Sequence, residues 1–145
     1  MAEYAAFGTT FAIGDTSVIA TANYTAVIQV ASIGGPGLSL DTKDVTSHDS
    51  TGAWEEVVAT ILRSGEVTLE LNWDPDTATH ETASGGLAYA MVNRTLLAYR
   101  IAWPDATPTE WKFQAYVTGF QPNAPHDDKL SATVKLKLTG VPTFG

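Results

Sequence analysis

The feature that most constrains this chain is a strict alternation of apolar and polar residues in two segments. From Gly65 to Trp73, and again from Lys129 to Leu138, every second residue is apolar. Because successive side chains of a strand point to opposite faces, this period predicts two strands, each with one face in a core. The apolar faces are Val67, Leu69, Leu71 and Trp73 in the first segment, and Leu130, Ala132, Val134, Leu136 and Leu138 in the second.

Other segments carry weaker patterns of the same kind. Residues 24–33 have two fairly apolar faces, which predicts a strand buried on both sides. Residues 79–93 hold an apolar stripe at helical spacing, and Gly85 and Gly86 favour a helix that begins near Ser84. Many short strands and one helix predict a mainly β fold, an antiparallel β-sandwich or barrel with one flanking α-helix. The remaining predicted strands are 11–13, within a small-residue N-terminal arm (1–22), and 38–47, 96–103 and 110–120.

Residues 48–64 form a long connection between the strands at 38–47 and 65–73. About 17 residues commit to neither helix nor strand, although 54–62 place Trp54, Val58 and Leu62 at roughly helical spacing. Connections of this length in a small domain are usually functional, or are disordered until bound. We therefore expect 48–64 to be a loop that is mobile in the free protein and ordered only on assembly.

Charge and composition exclude several classes of protein. The net charge is −8, with 8 basic and 16 acidic residues, whereas a protein that grips DNA needs clustered Lys and Arg. The chain has no cysteine, which rules out disulfides and thiol chemistry. It shows no signal peptide, and no apolar stretch approaches the roughly 18 residues of a membrane span. We predict no membrane partner.

The sequence offers no constellation that indicates catalysis. The three histidines are His48, His80 and His126, and no serine lies in a Gly-x-Ser-x-Gly elbow. The acidic clusters beside His48 and His126 lack the paired spacing of metal sites. We therefore predict no enzyme activity, no catalytic or metal-binding residue and no cofactor.

The four tryptophans leave an alternative open. Trp73, Trp103 and Trp111 fall on apolar strand faces, which favours core positions, whereas Trp54 lies in the uncommitted segment beside two glutamates. A large aromatic side chain in such a place is typical of an interface anchor. A carbohydrate-binding or adhesin-like β-sandwich, with Trp54, Trp73 or Trp111 as its platform, is the alternative function.

Seven segments together carry a resemblance to a known family. The chain resembles the major tail tube proteins of long-tailed bacteriophages over nearly its whole length. The matching segments are Ser32-Ile-Gly-Gly-Pro-Gly-Leu-Ser-Leu40, Asp44-Val-Thr-Ser-His-Asp-Ser-Thr-Gly52, Gly65-Glu-Val-Thr-Leu-Glu-Leu71, Tyr99-Arg-Ile-Ala-Trp-Pro-Asp105, Phe113-Gln-Ala-Tyr-Val-Thr-Gly-Phe120, and Ala124–Leu130 with Leu138-Thr-Gly140.

The resemblance implies a single tail tube domain over residues 1–145, without the immunoglobulin-like C-terminal domain of some larger members. It also implies a structural subunit that polymerises as stacked hexameric rings into the conduit for DNA delivery. Its partners would be itself and the tail tip, tape measure and terminator proteins, with genomic DNA passing through without specific binding. Its place would be the virion, in a phage tail assembled in the host bacterial cytoplasm.

Two sets of residues are the candidate contacts of such a tube. Glu66 and Glu70, on the polar face of one strand, are the candidate lumen-facing acids, and pairing with Lys135 and Lys137 across strands is the competing interpretation. The candidate inter-ring or inter-subunit contacts are His48, Asp49, Trp54, Glu55, Glu56 and Arg63.

Overall fold

The structure is a computed structural model, and it describes residues 8–74, 86–105, 107 and 109–144. Within these residues it has nine strands, one α-helix and one short 3-10 turn at Thr51–Ala53. The helix is α1 (Leu87–Val92). The strands are β1 (Thr10–Gly14), β2 (Tyr24–Ala26), β3 (Val30–Gly34), β4 (Ser39–Asp44), β5 (Val57–Arg63), β6 (Glu66–Asn72), β7 (Leu97–Ala102), β8 (Glu110–Asn123) and β9 (Ser131–Phe144).

Seven strands form one antiparallel sheet in the order β2-β1-β7-β8-β9-β6-β3. The two strictly alternating segments are the neighbours β6 and β9, in a register that places Val67 opposite Leu136 and Leu69 opposite Val134. These four side chains are fully buried, which confirms their predicted faces. The mainly antiparallel β architecture predicted from the sequence is confirmed.

The segment from β2 to β3 curls this sheet into a barrel. β2 pairs with β1 at one end of the strand order, and β3 pairs with β6 at the other end. Between them, the N–H of Val27 donates to the carbonyl of Phe11, and the carbonyl of Gln29 accepts from the N–H of Asn72. The prediction of one doubly buried strand at 24–33 is wrong, because the chain turns at Gln29 (φ 59°) and most of its side chains stay exposed.

Three aromatic rings form a cluster within the largely aliphatic core. The Tyr99 ring packs against those of Phe11 and Phe113, with centroids 5.6 and 6.2 Å away, and the two Phe rings are 6.4 Å apart. The predicted strand at 11–13 is confirmed, and Phe11 is fully buried, so this part of the predicted arm belongs to the core. Residues 1–7 of the arm lie outside the described residues.

The helix α1 packs against β8 and adds Leu87 and Ala90 to the core. It ends at Val92, close to the predicted end, and residues 79–85 of the predicted helix lie outside the described part of the chain. None of the helical residues that the structure describes forms a helix long and apolar enough to cross a membrane.

The predicted 48–64 loop contains the turn and the second strand of a β-hairpin. Strand β5 pairs with β4 in a separate two-stranded antiparallel sheet, with Leu40 opposite Leu62 and Asp44 opposite Val57. The prediction that 48–64 lacks regular structure is wrong for 57–63, and so is the short helix considered at 54–62. Val, Ile and Thr favour a pleated strand over a helix, and β4 supplies the pairing edge.

Candidate functional site

The hairpin, residues 38–64, is the most exposed part of the described chain. Every residue of β5 is exposed, and Ser50 is the only buried residue of the hairpin. Trp54 is 77% exposed and Leu62 is 80% exposed. An isolated two-stranded hairpin is marginally stable in water, so a surface like this one calls for a covering partner. The large exposed apolar residues of the hairpin are Leu38, Leu40, Val45, Trp54, Val57, Val58, Ile61 and Leu62.

Local hydrogen bonds shape the hairpin tip, which we define as residues 45–56. The Val45 N–H donates to the Glu56 carbonyl over 2.9 Å, and the Glu56 N–H donates to the Thr46 hydroxyl over 2.8 Å. At the end of β4, hydrogen bonding to Thr46 holds the pKa of Asp44 below its usual value. The tip is therefore a folded turn that presents Trp54 outward.

The predicted contact residues divide into two groups. Arg63 lies in β5, and its Nε donates to Asp41 Oδ2 over 2.9 Å in an exposed ion pair, so it has a partner inside its own hairpin. The structure thus separates this residue from the other five. Those five are exposed in the tip: His48, Asp49, Trp54, Glu55 and Glu56.

Glu66 and Glu70 lie on the outward face of β6 and are both exposed. The register places Glu66 opposite Lys137 and Glu70 opposite Thr133, while Lys135 lies opposite Thr68. Within the described residues, neither glutamate forms an ion pair with these lysines. Lysines and glutamates alternate on this face, so it is less acidic than the net charge suggests.

A cluster of charged residues on the barrel wall escaped the sequence analysis. Glu110 lies between two cations, with Oε1 3.8 Å from Arg100 Nη1 and Oε2 3.7 Å from Lys112 Nζ. The ring of Tyr24 lies beneath both cations, with its centroid 5.2 Å from Arg100 Cζ and 5.7 Å from Lys112 Nζ. Burial raises the pKa of Tyr24, and the nearby Arg100 charge opposes this shift. We call these four residues the cationic cluster.

Sequence signals for the cationic cluster were weak. The polar positions of β7 and β8 are visible in their alternation, and Arg100 lies opposite Lys112 in the register. Tyr24 lies far away in sequence and comes near the cluster only because β1 pairs with β2 on one side and with β7 on the other. No local pattern indicates that proximity.

Three of the four tryptophans pack against other rings. Trp73 contacts Phe120 at 5.7 Å between centroids, and Trp111 contacts both Trp103 and Phe144, at 5.5 and 4.7 Å. Of the four tryptophans, Trp54 is the one whose side chain is largely exposed. These contacts give the carbohydrate-platform alternative no support from Trp73 or Trp111.

A cavity of about 430 Å³ lies between the start of β1 and the free edge of β3. Its lining has no titratable side chain, so it offers no acid, base or charged ligand. Across the described residues, no three His, Asp or Glu side chains gather closely enough to hold a metal ion. The lining residues are Gly8, Thr9, Val30, Ala31, Ser32, Ile33 and Trp103.

Comparison with solved structures finds a similar fold in proteins of several assembled particles. The chain is similar to a protein in the tail of an empty gene transfer agent particle, determined with C6 symmetry (TM-score 0.72, 12% identity, 99% of each chain covered). It is also similar to a protein of the sheath/tube terminator of PVC, an extracellular contractile injection system (TM-score 0.71, 13% identity, 100% of this chain and 98% of the other). A third similar protein comes from the virion of a native gene transfer agent (TM-score 0.67, 16% identity, 84% of this chain and 88% of the other).

Comparison at the level of sequence gives a family. No curated protein matches the chain. The family model of the lambda phage tail tube protein matches residues 4–145, which is nearly the whole sequence. The resemblance inferred from the residues is therefore confirmed, and the chain belongs to the lambda phage tail tube protein family.

Proposed function

We propose that this structural tail tube subunit polymerises as stacked hexameric rings, and that the resulting tube conducts DNA into the host. The role is mechanical, without catalysis. The family match over residues 4–145 and the tube-protein fold support a structural role. The C6 symmetry of the tail that contains one similar protein supports six copies to a ring.

The uncovered hairpin is the observation that carries this proposal. The barrel is a compact body with a complete core, yet the hairpin exposes apolar side chains on a sheet of only two strands. A monomer gains nothing from such an extension, whereas a second copy can bury it. Because a head-to-tail contact closes into a ring when its rotation permits, one repeated contact is enough to build the ring.

The five exposed tip residues extend the proposal to named contacts. We assign His48, Asp49, Trp54, Glu55 and Glu56 to the interface between copies, with Trp54 as its anchor, since buried aromatic residues dominate interface energetics. Arg63 would act indirectly, by holding Asp41 and the base of the hairpin in place.

For the lumen we propose the outward face of β6, with Glu66 and Glu70 exposed to passing DNA. The net charge of −8 opposes phosphate binding. Lys135 and Lys137 on the neighbouring strand β9 moderate the local field, which suits a channel that neither binds nor strongly repels its cargo.

The wider setting is proposed on the same basis. The chain, as one tail tube domain, would contact itself and the tail tip, tape measure and terminator proteins. It would lie in the phage tail of the virion, after assembly in the host bacterial cytoplasm. The similarity to a protein of a sheath/tube terminator supports contact between related folds at the end of a tube.

Negative-stain electron microscopy of the purified protein tests the proposal. We expect rings or tubes with a regular axial repeat and sixfold end views, formed at high protein concentration or after addition of tail tip proteins. A protein that remains monomeric by light scattering under both conditions would contradict it.

A further inference from the structure

We propose that the cationic cluster is the receptor for the acidic hairpin tip of a second copy of this chain. The inference rests on the proposed self-assembly and goes further, because it names the surface that the tip meets. It assigns Arg100 and Lys112 to bind carboxylates from Asp49, Glu55 or Glu56 of the other copy.

The first argument is that the cluster has unused hydrogen-bonding capacity. Its two cations share the single carboxylate of Glu110, at 3.8 and 3.7 Å, and both distances exceed that of a charge-assisted hydrogen bond. The side chains of Arg100 and Lys112 are 29% and 32% exposed, so a second molecule can reach their charged ends. The cluster therefore holds one excess positive charge, with N–H donors free to bind another carboxylate.

The second argument is that the cluster is held in place before any partner arrives. Tyr24 supports both cations from below, and its hydroxyl donates to the carbonyl of Ile19 over 3.0 Å. The register places Tyr24 opposite Gly14, which has no side chain to obstruct the ring. Cations stacked on an aromatic ring lose less side-chain entropy on binding than free ones.

The third argument is charge complementarity with the hairpin. Residues 38–64 contain five acidic and two basic residues, and both basic residues lie outside the tip. Arg63 is already paired with Asp41 in its own hairpin. The tip therefore presents Asp49, Glu55 and Glu56 and contains no Lys or Arg. Its one imidazole is that of His48.

The fourth argument separates a carboxylate on a protein from a phosphate of DNA. A chain with net charge −8 repels a polyanion, and the one excess positive charge of the cluster is too small to offset that repulsion. The tip brings its acids next to Trp54, which is 77% exposed. On the cluster side, Val18 is 51% exposed and directly precedes Ile19, whose carbonyl accepts from the Tyr24 hydroxyl. Apolar burial can thus drive a contact that charge alone would not sustain.

Charge exchange tests the inference. We expect Arg100→Glu with Lys112→Glu to raise the critical concentration for tube assembly at least about tenfold, and Glu55→Lys with Glu56→Lys to do the same. An equimolar mixture of the two variants should assemble better than either alone. In the mixture, the acidic tip of one variant can meet the unchanged cluster of the other, and the tip with two lysines can meet the cluster with two glutamates. Lys129→Glu, at an exposed lysine in another loop, is the control that matches the charge change of Lys112→Glu alone. Circular dichroism checks that each variant folds. If Arg100→Glu prevents folding, the Lys112→Glu variant is tested alone.

Tubes formed by the Arg100/Lys112 variant at the wild-type concentration would overturn the inference while leaving the proposed function intact. A wild-type protein that never assembles would overturn both. If fluorescence anisotropy shows that the wild type binds duplex DNA and the Arg100/Lys112 variant does not, the cluster is a phosphate site and the inference fails.

Cross-linking gives a direct measure of the contact, because the chain has no cysteine of its own. A tagged Glu56→Cys variant and an untagged Lys112→Cys variant are mixed, assembled and oxidised. We expect a mixed disulfide of intermediate mass on a non-reducing gel. Pairing Glu56→Cys with Lys129→Cys is the control and should give none. Equal yields in the two mixtures would overturn the inference.

Discussion

The carbonyl oxygen of Gly37 occupies the space that a Cβ atom on Gly65 would need. The chain therefore leaves the barrel and returns to it at a single point, and residues 38–64 project from a base made of two glycines. The hairpin is attached to the fold without being part of its core. We therefore expect changes within the hairpin to leave the barrel undisturbed.

Excision of the hairpin should separate folding from assembly. Replacing residues 38–64 by a short Gly-Ser turn joins two points that already touch, so we expect a folded monomer that forms no tubes. Circular dichroism and size-exclusion chromatography measure the first property, and electron microscopy measures the second. An unfolded deletion variant would show that the hairpin stabilises the barrel.

Gly65→Ala should destabilise the protein. Gly65 has a φ of 71°, a conformation that costs an L-residue about 1–2 kcal/mol, and its new Cβ would meet the Gly37 carbonyl. We expect the free energy of unfolding in urea to fall by about 1–3 kcal/mol. Gly37→Ala is the control: its Cβ would meet nothing within 4 Å, so the change should be within about 0.5 kcal/mol. Equal effects of the two substitutions would show that the base is not closed.

Trp54→Ala should weaken assembly and leave the monomer unchanged. The side chain is largely exposed in the single chain, so its removal forms no cavity there. As an interface anchor it should contribute about 2 kcal/mol or more to each contact. Sedimentation of tubes against protein concentration measures this effect, with the melting temperature of the monomer as the check on folding. Normal assembly of Trp54→Ala would remove this residue from the interface.

Leu136→Asp should abolish cooperative folding. Leu136 is fully buried opposite Val67, and a carboxylate there has no partner in the apolar interior. The exposed neighbour provides the control, since Lys135→Thr should change the free energy of unfolding by about 0.5 kcal/mol or less. Thermal unfolding followed by circular dichroism distinguishes them. A soluble, cooperatively folded Leu136→Asp variant would mean that the faces of β9 are reversed.

Tyr99→Phe should stabilise the protein, most clearly at alkaline pH. The Tyr99 hydroxyl is buried without a hydrogen-bond partner, and burial raises the pKa of this phenol above its usual value. The unfolded chain therefore ionises first, and wild-type stability should fall as the pH rises above about 10. Without this group, the variant should lose less stability over that interval. Urea unfolding at pH 8 and pH 10.5 measures the difference, and a parallel loss in both proteins would contradict the assignment.

For the proposed assembly site, the sequence indicated the region but misjudged its structure. The tip residues around Trp54 were correctly singled out as having no place in a core. The strand at 57–63 was missed because Val57, Val58, Ile61 and Leu62 match a helical stripe as well as a strand with two apolar faces. The cationic cluster was missed because Tyr24 and Arg100 are distant in the chain.

The sequence by itself determined the strands whose pattern has a single explanation. In β6 and β9 a period of two leaves one face apolar, and any fold that buries this face produces the same core. Only the tertiary structure decided what residues 24–34 and 38–64 do. Both faces of these segments carry apolar and polar side chains, so the strand that each segment pairs with sets its conformation. The first segment pairs with β1 and β6, and in the second segment β4 pairs with β5. Pairing between distant strands depends on where the whole sheet places its edges, and a local pattern does not contain that information.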